Sequence, residues 1–264
     1  MWRTVKRFFA PLVAVGLLLS KFKFLLFALL KIKFVGTALT ALLSIGAYAL
    51  IFPVWFAVGF VILIWVHEMG HVLQLKREGI PASAPMFIPF VGAVVAMKQM
   101  PKNALVEARV GLAGPVLGTM GALGALGLYA WTQAPLLLAL AYVGFFLNLI
   151  NLIPVLPLDG GRAMGALSPT FWIFGVGLMV ALVFMTTLSP IILLLVALFG
   201  GPELWRRWRT RNTPEGRAYH EIEPRYRFAV GLVYLVLAVS LVLLMGVTDV
   251  PAPPGSPQGV PVRV

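Results

Sequence analysis

The chain has 264 residues, 60% of them hydrophobic and only 11% charged, with a net charge of +12 and no cysteine. A soluble domain of this size carries about a quarter charged residues, so the composition excludes an ordinary water-soluble globule and points to a membrane protein. Lack of cysteine excludes disulfides, thiolate nucleophiles and cysteine zinc sites together.

Residues 1–33 hold two apolar stretches separated by Lys21, Lys23, Lys31 and Lys33. Each is too short to span, so the segment is expected to lie in the interface as a basic amphipathic element. Its apolar stretches lack a small-residue cleavage site, and no cleavable signal peptide is expected. A first span is predicted over 34–52, closed by Pro53. The second, 55–75, ends at Lys76-Arg77 and contains Trp65-Val66-His67-Glu68-Met69-Gly70-His71. Histidines four apart share a helical face and can hold one divalent metal between them. The glutamate between them can reach a metal-bound water and take its proton. An ionisable side chain at the bilayer centre costs roughly 2.5–3.5 kcal/mol, so three in five positions are not packing residues.

Residues 85–97 are too proline-broken for a span and too apolar for a solvated loop; a re-entrant β-hairpin fits them. A third span, 105–131, carries Gly111, Gly114, Gly118, Gly121, Gly124 and Gly127 at spacings of three and four, a stripe read as helix packing. Glu107 and Arg109 in its first turn are read as interfacial anchors. The fourth span, 135–155, leads into Asn151-Leu-Ile-Pro154-Val-Leu-Pro157-Leu-Asp159-Gly160-Gly161. Two prolines there remove helical hydrogen bonds and free Asp159 to point sideways, at the same depth as the histidines. Two histidines and a carboxylate, with a fourth position for water, make up a catalytic zinc site. Asn148 and Asn151 share a face, and either could steady a substrate carbonyl.

The stretch 171–200 is broken at Ser189-Pro190 and is read as two short helices. A basic loop over 201–227 follows, with His220 expected at its solvated surface. A last span, 228–247, precedes a proline-rich tail, 248–264, expected to be disordered. Basic clusters alternate with uncharged turns near Pro53, Gln133 and Ser189, which is the positive-inside pattern. Topology therefore explains the charge, and no nucleic-acid partner is expected. The fold class is an all-α polytopic membrane protein with about six to seven transmembrane helices, a membrane-embedded core over 34–200 and a short re-entrant hairpin.

His67-Glu68-Met69-Gly70-His71, followed by Asn151-x-x-Pro154-x-x-Pro157-Leu158-Asp159-Gly160-Gly161, resembles the site-2 protease family of intramembrane zinc metalloproteases. Leu112-Ala113-Gly114-Pro115 between them is also similar to that family's pattern. The resemblance implies His67, His71 and Asp159 as ligands of one zinc per chain, Glu68 as catalytic base, and Asn151 at the substrate carbonyl. It also implies that the hairpin residues Phe87, Ile88, Phe90, Val91, Gly92, Ala93, Val94 and Val95 bind an unwound substrate strand. The expected reaction is hydrolysis of a peptide bond in or near the transmembrane segment of a single-pass substrate. The expected place is the cell membrane, with the active site near the cytoplasmic side. The connection 98–105 is too short for an inserted peptide-binding domain. A metal-ion transporter or a catalytically inactive scaffold would explain the buried ligands, but a transporter gives no reason for Glu68. Substrate identity and oligomeric state stay open.

Overall fold

The computed structural model describes residues 33–168, 170–185 and 190–248. The expected interfacial segment, apart from Lys33, and the proline-rich tail, apart from Thr248, lie outside the described residues. Helix α1 (Lys33–Ala49) gives way at Pro53, extended at ψ 140°, to α2 (Val54–Arg77). A short hairpin of β1 (Met86–Ile88) and β2 (Gly92–Val94) leads to α3 (Ala104–Thr132). Asn103 starts α3 by accepting a hydrogen bond from the Val106 amide at 3.0 Å, a standard side-chain N-cap. Then come α4 (Pro135–Asn151), α5 (Asp159–Gly165), α6 (Phe171–Met185), α7 (Pro190–Thr210), α8 (Pro214–His220) and α9 (Pro224–Thr248).

Among the described residues, α2, α3 and α9 are long and apolar enough to cross a membrane, while Val35–Ala49, Pro135–Asn151 and Phe171–Ala181 are shorter apolar helices. Two of the boundaries that differ from expectation bear on the site and its surroundings. Helix α4 stops at Asn151, four residues before the predicted end of its span, because Pro154 and Pro157 cannot continue it. Helix α7 runs on through Pro202 to Thr210, and α8 is helical too, so much of the predicted loop 201–227 is ordered structure.

Helix α3 is the central post, packed against α2, α4, α5 and α9. Its Ala104, Ala108, Leu112 and Ala122 join Ala141, Phe145, Ala163, Val230 and Leu241 in the largest core cluster. Small side chains dominate that contact, which lets the helix backbones approach closely without a hydrophobic drive from lipid.

The hairpin is antiparallel, with Phe87 opposite Ala93, and a further bridge pairs Ala82 with Met97. At its tip the Val91 amide donates to the Ile88 carbonyl at 3.1 Å, with Pro89 and Phe90 between them. Phe90 takes a left-handed φ of 62°, where a glycine is usual, and its ring rests edge-on against Tyr48 at 5.4 Å. Helix α1 covers the β1 side: the Thr37 hydroxyl donates to the Pro85 carbonyl at 2.7 Å, and the Phe87 amide donates to the Thr40 hydroxyl at 3.3 Å. Phe87 itself is buried with Tyr48, Ala57, Val61 and Ile64, while Ile88, Phe90, Val91 and Val94 are exposed.

Glu107 is not an interfacial anchor. It is 3% exposed, and its carboxylate accepts a bidentate pair from Arg207 at 2.7 and 2.8 Å plus the Tyr219 hydroxyl at 2.7 Å. A carboxylate one turn inside an apolar helix is tolerable only with such partners. Burial and the Glu107 carboxylate push the Tyr219 phenol above its ordinary range, so it stays a donor. His220 is half-buried rather than solvated; burial and the Arg207 charge hold its imidazole below its ordinary range. Arg109, by contrast, fits the interfacial reading, half-exposed with Glu78 at 3.5 Å.

Arg207→Ala should strip the buried Glu107 of its counter-charge and lower stability by about 3–5 kcal/mol. Arg206→Ala removes a mostly exposed partner of Glu203 and should cost under about 1 kcal/mol. Thermal unfolding of both variants in one detergent measures the difference, and equal losses would show that the Glu107 pair carries no special weight.

Candidate metal centre

Helix α2 places His67 and His71 on one face, and both are buried. Asp159, the first residue of α5, reaches them from 92 residues further along the chain. His67 Nε2 lies 3.1 Å and His71 Nε2 lies 3.2 Å from Asp159 Oδ2, and the two nitrogens are 3.2 Å apart. A tetrahedral zinc with bonds of ~2.0–2.1 Å separates its ligand atoms by about 3.3 Å. The triangle therefore fits such an ion, and a group of this composition and spacing could hold a metal.

Hydrogen bonds fix which nitrogens face that triangle. The Asn148 amide nitrogen donates to the Gly144 carbonyl at 2.7 Å, which leaves its oxygen turned toward His67 Nδ1 at 2.8 Å. An amide oxygen only accepts, so His67 Nδ1 carries the proton and its Nε2 keeps a lone pair. His71 Nδ1 lies 2.8 Å from the Val110 carbonyl, and the same reasoning applies. Both imidazoles are thus held as the tautomer a metal requires.

The glycine stripe of α3 makes room for this arrangement. A Cβ on Gly114 would overlap Nε2 of His71 and crowd Nε2 of His67, and one on Gly118 would overlap the Asn148 amide. Reading the stripe as packing alone missed that it clears the ligand atoms. On the Asp159 side, residues 152–158 form an irregular turn that folds onto Gly160, where a Cβ would run into the Leu152 carbonyl. The Trp172 indole donates to the Gly161 carbonyl at 2.7 Å, and Tyr234 donates to the Leu152 carbonyl, so the turn is pinned at both ends.

Glu68 follows His67 on the buried α2 face, 7% exposed, with Asp159 and Arg162 among its charged neighbours. Asn151 is half-buried, and its amide donates to the Leu147 carbonyl one turn back at 3.0 Å. The structure thus joins His67, His71 and Asp159, sets Glu68 in the same helix turn, and gives the bond to His67 to Asn148. Asn148 and the Val110 carbonyl were not singled out as ligand supports from sequence. The available signal was an amide inside an apolar span, and Asn148 and Asn151 both carry it.

Gly114→Ala should abolish stoichiometric zinc binding, whereas Gly124→Ala, in the same stripe but with open space around its Cβ, should leave it unchanged. Asn148→Leu removes the acceptor from His67 Nδ1 and should weaken zinc by about 10–100-fold. A chelator-competition titration on purified protein measures all three. Wild-type affinity in Gly114→Ala would overturn the role given to the stripe.

Residues 55–135 match the model of peptidase family M50. Over 130 residues, 47% of this chain, the sequence is 32% identical to a zinc metalloprotease of Methanocaldococcus jannaschii. The match spans 37% of that archaeal protein's length. The chain is thus similar to peptidase family M50 over 55–135, and the fold brings His67 and His71 of that region together with Asp159.

Proposed function

We propose that the protein is an intramembrane zinc metalloprotease that cuts a membrane-anchored substrate within or near its transmembrane segment. The observation that carries this reading is the buried triangle of His67, His71 and Asp159 with Glu68 on the same helix turn. One zinc per chain, when bound, supplies Lewis acidity that acidifies water towards a pKa of ~7 and polarises a carbonyl. His67 and His71 present Nε2 to it, held by Asn148 and Val110. Glu68 accepts the proton of the attacking water and returns it to the leaving amine. Asn151 is assigned to the substrate carbonyl, which requires its amide to exchange the Leu147 carbonyl for the substrate.

A helical substrate hides its peptide bonds and must unwind before attack. Helix α1 occupies the β1 side of the hairpin, so β2, Gly92–Val94, is the strand with an edge to offer. Pairing there replaces the hydrogen bonds lost on unwinding. Six to seven spans, with the metal near the cytoplasmic side of the cell membrane, agree with the basic clusters and the uncharged turns. A single-pass protein is the substrate class, and nucleic acid has no part. The transporter and scaffold alternatives are not favoured by the M50 match.

Glu68→Gln keeps the shape of the side chain but removes the base. Near-wild-type zinc content is expected, with cleavage of a single-pass substrate in liposomes lowered by at least about 10²-fold. Wild-type cleavage by Glu68→Gln would refute the mechanism. Topology has its own check, since single cysteines can be labelled in a chain that has none. Arg209→Cys should resist an impermeant thiol reagent in intact cells, while Gln133→Cys should react. Labelling of Arg209→Cys from outside would reverse the assigned sidedness.

A further inference from the structure

Two hollows meet at Arg227, where α9 begins. One is an apolar groove of about 390 Å³ lined by Leu167, Phe228, Gly231, Leu232 and Leu235 beside the Arg227 stem. The other, of about 460 Å³, is walled by Arg211, Asn212, Arg217, His220, Glu221 and the other side of Arg227. Neither touches the metal centre, and the proposed reaction uses neither.

Each hollow has the chemistry of one half of an amphiphile. Phe228, Leu232 and Leu235 stand at helical positions i, i+4 and i+7, so they form one exposed stripe running away from the charged end of α9. Leu235 lies about 12 Å further along the helix than Arg227, the reach of a hydrocarbon chain entering the bilayer from the headgroup level. Gly231 leaves the floor open: a Cβ there would meet only the tip of the Leu167 side chain, at 3.2 Å.

The pocket above that groove is positive and unneutralised. Among the described residues, Arg211, Arg217 and Arg227 form no ion pair with a carboxylate, and Glu221 is the single acid on the wall. Arg227 is fixed by donating to the carbonyls of Ile222, Leu167 and His220 at 3.2, 2.8 and 2.7 Å. Those acceptors are neutral, so the guanidinium is held in place with its charge intact and two of its five N–H groups unspent. Arg217 donates to the Asn212 carbonyl at 3.2 Å, and Arg211 stacks over the Trp208 ring at 3.6 Å. His220 adds a buried Nδ1 that has no hydrogen-bond partner.

We propose that the joined groove and pocket bind one anionic phospholipid. Its acyl chain lies along Phe228, Leu232 and Leu235, and its phosphate sits between Arg211, Arg217 and Arg227. Charge selects the occupant: a zwitterionic headgroup would bring an ammonium against three guanidiniums. The site rests on reading α9 as a membrane span and is independent of the proteolytic reading.

The test uses the full chain, delipidated in neutral detergent and offered equal amounts of phosphatidylglycerol and phosphatidylcholine, with bound lipid counted by native mass spectrometry. Wild type should retain one phosphatidylglycerol, preferred by about tenfold or more, since each basic residue at the surface adds a few-fold. The double variant Arg211→Gln/Arg217→Gln should lose that preference, while Lys76→Gln/Lys98→Gln, an equal loss of charge at another basic cluster, should keep it. Gly231→Leu, with an unchanged helical spectrum, should lose the lipid because the groove is filled. Equal retention of both lipids by wild type, or an equal loss in the lysine control, overturns the proposal. Undiminished phosphatidylglycerol in Gly231→Leu overturns it too, because the acyl chain would then not lie in this groove.

Discussion

Three lone pairs from His67, His71 and Asp159 converge within 3.2 Å inside an apolar bundle, and that convergence governs the rest of the structure. Lone pairs this close repel unless a cation or a proton lies between them. Whether they serve a metal depends on where the imidazole protons sit. Asn148 and the Val110 carbonyl settle that by occupying both Nδ1 positions, one from α4 and one from α3. Each histidine of α2 is therefore oriented by a different helix, and with Asp159 from α5 the centre exists only when all four helices are packed. A metal held there would be coupled to folding through these contacts.

Packing that close needs absent side chains as much as present ones. Gly114 and Gly118 bring the α3 backbone against His67, His71 and the Asn148 amide without displacing them. Opposite them, residues 152–158 depart from helical geometry, and Leu152, Ile153, Val155 and Leu156 of that turn are buried in protein. Their carbonyls find partners in the Tyr234 hydroxyl and in local turn bonds, and Trp172 holds the Gly161 carbonyl just after Asp159. Asp159 is aimed by a short braced turn, and a continuous helix at the same position could not aim it.

The candidate ligands were legible in the sequence because their chemistry is out of place in an apolar span. The bland reading of the motif, a chance match on an ordinary helix, sits poorly with three ionisable residues in an apolar span, and the structure gathers His67, His71 and Asp159. The hairpin was legible too, since prolines within an apolar run exclude a helix. Glycines at spacings of three and four read the same whether they face another helix or an imidazole, so the role of Gly114 depended on which helix lay opposite. Asn148 and Asn151 differ by one turn on the same face, and only packing decides which of them meets His67. Glu107 was visible as a charge, but its partners Arg207 and Tyr219 lie 100 and 112 residues away, beyond any local pattern. The end of α7 was misjudged because charge was taken to end the helix, whereas it marks only the edge of the apolar segment.

Arg207 connects these separate observations. Its guanidinium clasps Glu107, which lies one turn before Val110, the residue whose carbonyl orients His71. The same group lies 5.7 Å from the centre of the Trp172 ring, and Trp172 holds the backbone that follows Asp159. One cation at the charged end of α7 thus braces the supports of a histidine on one side and of the carboxylate on the other. Neither support is itself charged: one is a backbone carbonyl and the other an indole. Charge is placed instead a turn or more away, where Glu107 neutralises it, and only its positional effect reaches the centre. That separation lets an apolar bundle hold a strongly polar site: full charges pair with one another at its edge, and neutral hydrogen bonds carry their rigidity inward.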